Sequence, residues 1–170
     1  MTHRQTARPI LWLAYVDHRL EDVARRIHAV QMLAYREEAT LLGAARFPPL
    51  ERTVADIQSS REEFCCAYWA GELVGALGTC LDEEGRGVNI ASLVVHPDFR
   101  RRGLGRRLLS AAVARHATVE LTVQTGAGNT PALALYALYG FTEIRRWCED
   151  PEQLWLVRLV RPAATAWPAV

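Results

Sequence analysis

An α+β layer protein built on a mixed sheet is the fold class this sequence predicts, and three observations predict it. Apolar runs and amphipathic segments follow one another in the order strand, helix, hairpin, strand, helix, strand, helix, strand, strand. Residues 88–95 (VNIASLVV) are apolar nearly throughout, as a strand covered on both faces requires. Residues 64–69 and 73–80 flank the turn Ala70-Gly71-Glu72, a hairpin signal that makes part of the sheet antiparallel.

Taken in order, residues 10–16 form a short apolar run that reads as a buried strand. Asp17 offers a helix cap, and Leu20, Val23, Ala24, Ile27, Val30 and Leu33 recur at helical spacing to about Tyr35. A helical or irregular stretch follows, broken at Gly43 and Phe47-Pro48-Pro49, with a further short helix over 50–57. After the hairpin, residues 82–87 form a turn, and the strand 88–95 stops at His96-Pro97 because proline cannot continue the ladder. Leu104, Leu108, Leu109, Ala112 and Val113 mark a helical face up to His116, and 118–124 alternates as a strand. Pro131 suits the first turn of a helix over 132–139 that Gly140 terminates. Residues 141–147 and 154–160 read as two last strands. One domain over 1–162 and a C-terminal tail over 163–170 is the expected organisation, with no internal repeat.

The chain has 170 residues, half of them hydrophobic, enough for a single core. No run approaches the roughly 18 apolar residues of a membrane span, and the N-terminus lacks a secretory signal's apolar segment; a cytoplasmic protein without membrane contact is expected. All 20 basic residues are Arg. Residues 1–85 hold 9 Arg and 13 acids, net −4, whereas 86–170 hold 11 Arg and 6 acids, net +5. The second half therefore suits an anionic ligand and the first a cationic one. A sequence pI near 7.8 and the lack of a second basic patch argue against a nucleic-acid binder. Cys65, Cys66, Cys80 and Cys148 have neither CxxC nor zinc spacing, so no metal and no disulfide are expected.

The chemistry concentrates in Val94-Val-His-Pro-Asp-Phe-Arg-Arg-Arg-Gly-Leu-Gly-Arg-Arg-Leu-Leu109, where a strand ends, an Arg/Gly loop follows and a helix opens. Such a loop presents unpaired N–H groups at a helix N-terminus, where the dipole favours anions. Gly103 and Gly105 allow close backbone approach to a phosphate, and flanking guanidiniums add charge-assisted contacts. Position 108 is Leu, so a dinucleotide G-x-G-x-x-G fails, and a chain without Lys cannot carry a Walker loop. A pyrophosphate-binding loop of another kind is the direct reading.

The sequence resembles the GNAT superfamily of N-acetyltransferases. Their acetyl-CoA loop, [QR]-x-x-G-x-[GA], reads here Arg100-Arg101-Arg102-Gly103-Leu104-Gly105, and Leu93-Val94-Val95-His96-Pro97-Asp98-Phe99 matches the usual lead-in. Asn129, Ala132, Leu135, Tyr136, Gly140 and Phe141 fit the family's N-x-x-A-x-x-L-Y-x-x-x-G-F. The resemblance implies a three-layer α/β/α fold whose mixed, mostly antiparallel sheet splays between its fourth and fifth strands, around Thr122. It implies that the pantetheine arm of acetyl-CoA lies along Leu93, Val94 and Val95. The loop from Arg100 to Arg106 would then bind the pyrophosphate, a strand N–H near Val94 would polarise the thioester, and Asn129 would contact the arm or cap the next helix.

By the same resemblance a neutral primary amine, on a small molecule or a peptide, attacks the thioester directly, and Tyr136 protonates the departing thiolate. The base has no fixed place, because Ala91 stands where relatives often carry a strand Glu. Glu120, Glu37, Glu38 or water ordered by Ser92 are the alternatives. His96 reads as a turn residue, and His116 as a helix-terminal residue whose imidazolium would suit the dipole. Segment 31–63 should wall the amine side. A non-catalytic acetyl-CoA-binding or sensing domain is the alternative function, and a homodimer is a possible assembly.

Overall fold

The computed structural model describes residues 10–82, 84–149 and 153–164. Strands β1 (Leu11–Val16), β2 (Glu63–Trp69), β3 (Glu72–Leu81), β4 (Val88–Val95), β5 (Leu121–Gly126), β6 (Thr142–Glu149) and β7 (Leu154–Arg161) form one sheet in the order β1-β2-β3-β4-β5-β7-β6. Every neighbouring pair is antiparallel except β4 and β5. Helices α1 (Glu21–Leu42) and α2 (Val54–Ser59) cover one face, and α3 (Leu104–Arg115) and α4 (Thr130–Leu138) the other. This is the expected mixed, mostly antiparallel architecture. Residues 165–170 of the expected tail lie outside the described residues.

The two faces hold separate cores. Ala24, Ile27, Val30 and Ala34 of α1 pack with Ile57, Phe64, Cys66, Ala76 and Val94. On the other side Leu104, Leu108, Leu109 and Ala112 of α3 pack with Leu77, Ile90, Leu121, Val123, Val157 and Leu159. Leu108 is fully buried, and truncating such a side chain to Ala typically costs about 2–5 kcal/mol.

Strand β4 serves both cores because it carries a bulge. Gly78 pairs with Ser92 but Thr79 pairs with Ile90, so Ala91 has no partner on β3. The extra residue reverses the alternation. Val88 and Ile90 face α3, whereas Val94 faces α1 and buried Ser92 accepts a hydrogen bond from Gln31 Nε2 of α1 at 3.3 Å. Leu93 and Val95 consequently turn to the α3 side.

Several boundaries differ from expectation, each for a local reason. Helix α1 does not stop near Tyr35; nothing in residues 36–42 breaks it, and it ends at Gly43, left-handed at φ 63°. Asp17 is not its cap: the N-cap is Leu20, and Asp17 instead closes the preceding turn by accepting Arg19 N–H at 3.1 Å. The helix expected over 50–57 divides into a 3₁₀ turn (Pro48–Glu51) and α2, because Thr53 and Asp56 form a reciprocal capping box that starts a new helix. Strand β5 begins at Leu121 rather than 118, after a turn in which Val119 N–H bonds to His116 O.

Candidate active site

Strands β4 and β5 pair only from Val88 to Ile90, opposite Leu121 to Val123. Beyond that point they separate, so Thr122 lies inside the paired stretch and the splay opens after Ile90. Two cavities meet in the wedge. The larger, about 1220 Å³, runs towards the Arg/Gly loop; the smaller, about 560 Å³, opens on the opposite side. Glu38, Leu93, Asn129, Ala132 and Tyr136 line both, so they mark the junction.

The larger cavity has the β4 residues Leu93, Val94 and Val95 on one wall and Leu135 and Tyr136 of α4 on another. Its mouth is formed by Arg100, Arg101, Gly103, Leu104, Gly105 and Arg106. Arg101 and Gly103 both have left-handed backbone, at φ 60° and 77°. Gly103 is the N-cap of α3 and offers no side-chain acceptor, so the first-turn N–H groups of α3 are left for an external one. Alternating backbone of this kind makes a concave, anion-binding nest, reinforced by the positive end of the helix. A Cβ on Gly103 would meet nothing within 4 Å, but one on Gly105 would come within 3.3 Å of Leu135 Cδ2. The two glycines thus serve different ends, one backbone conformation and the other helix-to-helix clearance. These features fit a pyrophosphate.

The loop's guanidiniums are not equivalent. Arg100 is ion-paired with Glu37 of α1 across the cavity mouth. The Arg102 side chain turns away and packs over the rings of Trp69 and Phe99, at 5.4 and 5.2 Å. Tyr139 donates its hydroxyl to Arg106 O at 2.9 Å, which ties the start of α3 to the end of α4. His96 caps the short turn Pro97–Phe99, its Nδ1 accepting Asp98 N–H at 3.2 Å.

At the junction, Asn129 is the N-cap of α4: Oδ1 accepts Ala132 N–H at 3.2 Å. Its Nδ2 donates to Glu38 Oε1 at 2.9 Å. Both ends of the amide are therefore engaged within the protein. Burial pushes the Glu38 carboxyl above the usual carboxylate range, against the opposing pull of the Asn129 hydrogen bond and the nearby Arg100 charge. Tyr136 is 4% exposed. Burial raises its phenol pKa, and the negative charge of Glu38 raises it further, so the hydroxyl keeps its proton at neutral pH.

The smaller cavity is walled by Tyr35, Phe47, Pro48 and Pro49, all within segment 31–63. Ala91 opens onto it from the bulge, beside Ser92. Of the carboxylates weighed from sequence, Glu38 reaches this junction, Glu37 lines only the larger cavity, and Glu120 lines neither. His116 does not favour a charged ring: burial lowers its pKa at the end of α3, outweighing the attraction of Glu63. The contribution of β6 and β7 through Glu149, Leu154 and Leu156 has no sequence motif and was not anticipated.

The family model described as Acetyltransferase (GNAT) family matches residues 25–141. Among curated proteins, the UPF0157 protein YqkA of Bacillus subtilis is 36% identical over 130 residues, covering 76% of this chain and 37% of that protein. A [ribosomal protein bS18]-alanine N-acetyltransferase of Salmonella typhimurium is 45% identical over 60 residues, 32% of this chain and 40% of that protein. The matches thus span well under half the length of either relative. Among solved structures, the ribosomal-protein-S18-alanine N-acetyltransferase from Escherichia coli superposes with a TM-score of 0.72 at 20% identity, covering 95% of this chain and 99% of that one. An acetyltransferase from Thermus thermophilus gives 0.65 at 28% identity, covering 89% and 96%.

Proposed function

The chain belongs to the GNAT acetyltransferase family, and on that premise we propose that it transfers an acetyl group from acetyl-CoA to a primary amine on a small molecule or a peptide. The observation that carries the reading is the pair of cavities meeting at Leu93 and Tyr136: one ends on an anion-binding helix N-terminus, the other on an apolar wall with a carboxylate at its inner end. In this reading the loop from Arg100 to Arg106, Arg102 contributing only its backbone, holds the pyrophosphate. The pantetheine arm lies in the splay, against the edge of β4 that β5 leaves unpaired from Ala91 to Val95. The thioester then sits at the junction, its carbonyl accepting a β4 N–H near Val94, where backbone donors stabilise the charge that develops on oxygen.

The amine nitrogen attacks the carbonyl carbon, the C–N bond forms and the C–S bond breaks. Tyr136, buried and protonated, supplies the proton to the leaving sulfur. A cationic acceptor agrees with the acidic N-terminal half of the chain, net −4 over residues 1–85. We place the activity in a single domain over 1–162. The test has two arms. Acetyl-CoA at a hundred times Kd should stabilise the fold by about 2.7 kcal/mol, roughly 5–10 °C in Tm for a chain this size, with NAD and ATP doing far less. A panel of primary amines should then yield amine-dependent release of CoA. Binding without turnover on any amine would favour an acetyl-CoA sensor.

A further inference from the structure

Direct attack by an amine needs a proton acceptor, since most primary amines are ammonium ions at neutral pH, with a Lys side chain near about 10.4 and a peptide α-amine near about 8. This inference rests on the amine-acetyltransferase reading. On β4, Leu93 lines the junction and Ala91 the smaller cavity, and neither side chain can take a proton.

We infer that Glu38 takes the proton from the incoming ammonium, and that Asn129 is the positioning residue that holds the carboxylate at the meeting point of the two cavities. Among the described residues Glu38 is the one carboxylate that lines both cavities; Glu37 lines only the larger and Glu149 only the smaller. Asn129 binds Oε1 and leaves Oε2 for a second partner. The Asn129 side chain is itself fixed by capping α4, so the carboxylate is aimed by a rigid element. Glu37 is occupied by Arg100, which keeps the two adjacent carboxylates from sharing one task.

The groups facing Glu38 set its basicity. Arg100 from the loop and Asn129 from the start of α4 favour the ionised form. Tyr136 of α4 and Tyr35 of α1 present neutral phenols, and Arg46 and Glu149 also line the smaller cavity. Burial outweighs the favourable pair and raises the carboxyl above its ordinary range, which makes it a stronger base than a solvated Glu.

The protons balance as follows. The ammonium gives its first proton to Glu38, which returns it to solvent through the smaller cavity. The neutral amine attacks, and the nitrogen, now positively charged, loses a second proton as the C–S bond breaks. Tyr136 protonates the sulfur, and that second proton restores the phenol.

The experiment compares wild-type protein with Glu38→Gln across pH 6 to 10 on a panel of alkylamines and peptide α-amines. Gln keeps the oxygen that Asn129 binds but cannot accept the proton. At pH 7 the variant should lose about 100-fold or more in kcat/KM, within the range of general-base catalysis. The loss should shrink as pH approaches the acceptor's own pKa, because solution then supplies the neutral amine. A variant within about threefold of wild type at pH 7, or a loss equal at every pH, overturns the role of Glu38 and leaves the acetyltransferase reading standing. Wild-type protein that binds acetyl-CoA yet acetylates no amine overturns both.

Discussion

Asn129 Nδ2 and Glu38 Oε1 are 2.9 Å apart, although 91 positions separate them in the chain. The bond fastens the last turns of α1 to the start of α4 across the open end of the β4–β5 wedge. Apolar packing follows the same line: Leu42 lies so close over β5 that a Cβ on Gly126 would come within 2.5 Å of its Cδ1. One helix from the N-terminal half thereby roofs a cleft whose floor comes from the C-terminal half.

Asn129→Ala removes the acceptor that caps α4 and the donations to Glu38 and, at 3.5 Å, to Thr125 Oγ1. Losing the cap should cost about 1 kcal/mol of stability, read as a lowered Tm. Glu38 also loses a donor that favours its ionised form, so its pKa should rise further. If the carboxylate is the base, the acidic limb of the kcat/KM profile should move to higher pH. Asn129→Asp separates the two effects, restoring the cap but placing a second carboxylate beside Glu38.

Glu38→Gln should not destabilise the protein at neutral pH. The folded pKa of Glu38 lies above its unfolded value, so the native state binds the proton more tightly. Stability from this group is full below the unfolded pKa and is lost as pH rises through the folded one. The Tm of Glu38→Gln should therefore match wild type near pH 4 and equal or exceed it at pH 7 to 8. A stable but inactive protein is the outcome that thermal melts across pH would record.

Gly103→Val and Gly105→Val should each weaken CoA binding at least tenfold. At Gly103 the cause is backbone, since φ 77° disfavours any β-branched residue. At Gly105 the cause is space, since a Cβ already sits 3.3 Å from Leu135 Cδ2 before the methyls are added. The second variant should accordingly lose more stability, about 1–3 kcal/mol of overpacking. Calorimetric titration with CoA and melts of the unliganded proteins check both statements.

Tyr136→Phe keeps the ring beside Phe141, whose centroid is 5.4 Å away, and removes only the hydroxyl. Acetyl-CoA affinity and Tm should stay near wild type while kcat falls by about 10²–10⁴. Tyr139→Phe gives the contrast: its hydroxyl holds Arg106 O, so its loss should raise KM for acetyl-CoA with a smaller effect on kcat. Equal kinetic losses in the two variants would make Tyr136 a packing residue.

The loop and both strands of the wedge were legible because their signals are local: Gly103 and Gly105 constrain backbone, and Pro97 ends a strand. Helix α4 was legible from Pro131 and Gly140 for the same reason. The Asn129–Glu38 bond was not, because no local pattern distinguishes Glu38 from Glu37; they are consecutive on a helix, and only tertiary packing sends one to the junction and the other to Arg100. Arg102 was misleading in a similar way. As one of three consecutive arginines it reads as a phosphate ligand, yet Trp69 and Phe99, 33 and three positions upstream, draw its side chain away. The end of α1 was missed because apolar periodicity fades after Tyr35, although the helix continues to support the cleft.

The bulge at Ala91 also fixes how this strand tolerates change. A substitution there alters one side chain at a cavity wall, whereas deleting the residue would restore strict alternation from Val88 to Val95. With Ala91 gone, Ile90 and Ser92 become neighbours on opposite faces, so Ser92 and Val94 keep the α1 side, Leu93 and Val95 keep the α3 side, and Gln31 keeps its partner; only the bulge and its side chain at the cavity wall are lost. Deleting a residue outside the bulge, such as Leu93, would instead send Val94 to the α3 side and Val95 to the α1 side. Position 91 is therefore a point at which this strand can change in identity and in length while the faces presented by Ser92 to Val95 stay where they are.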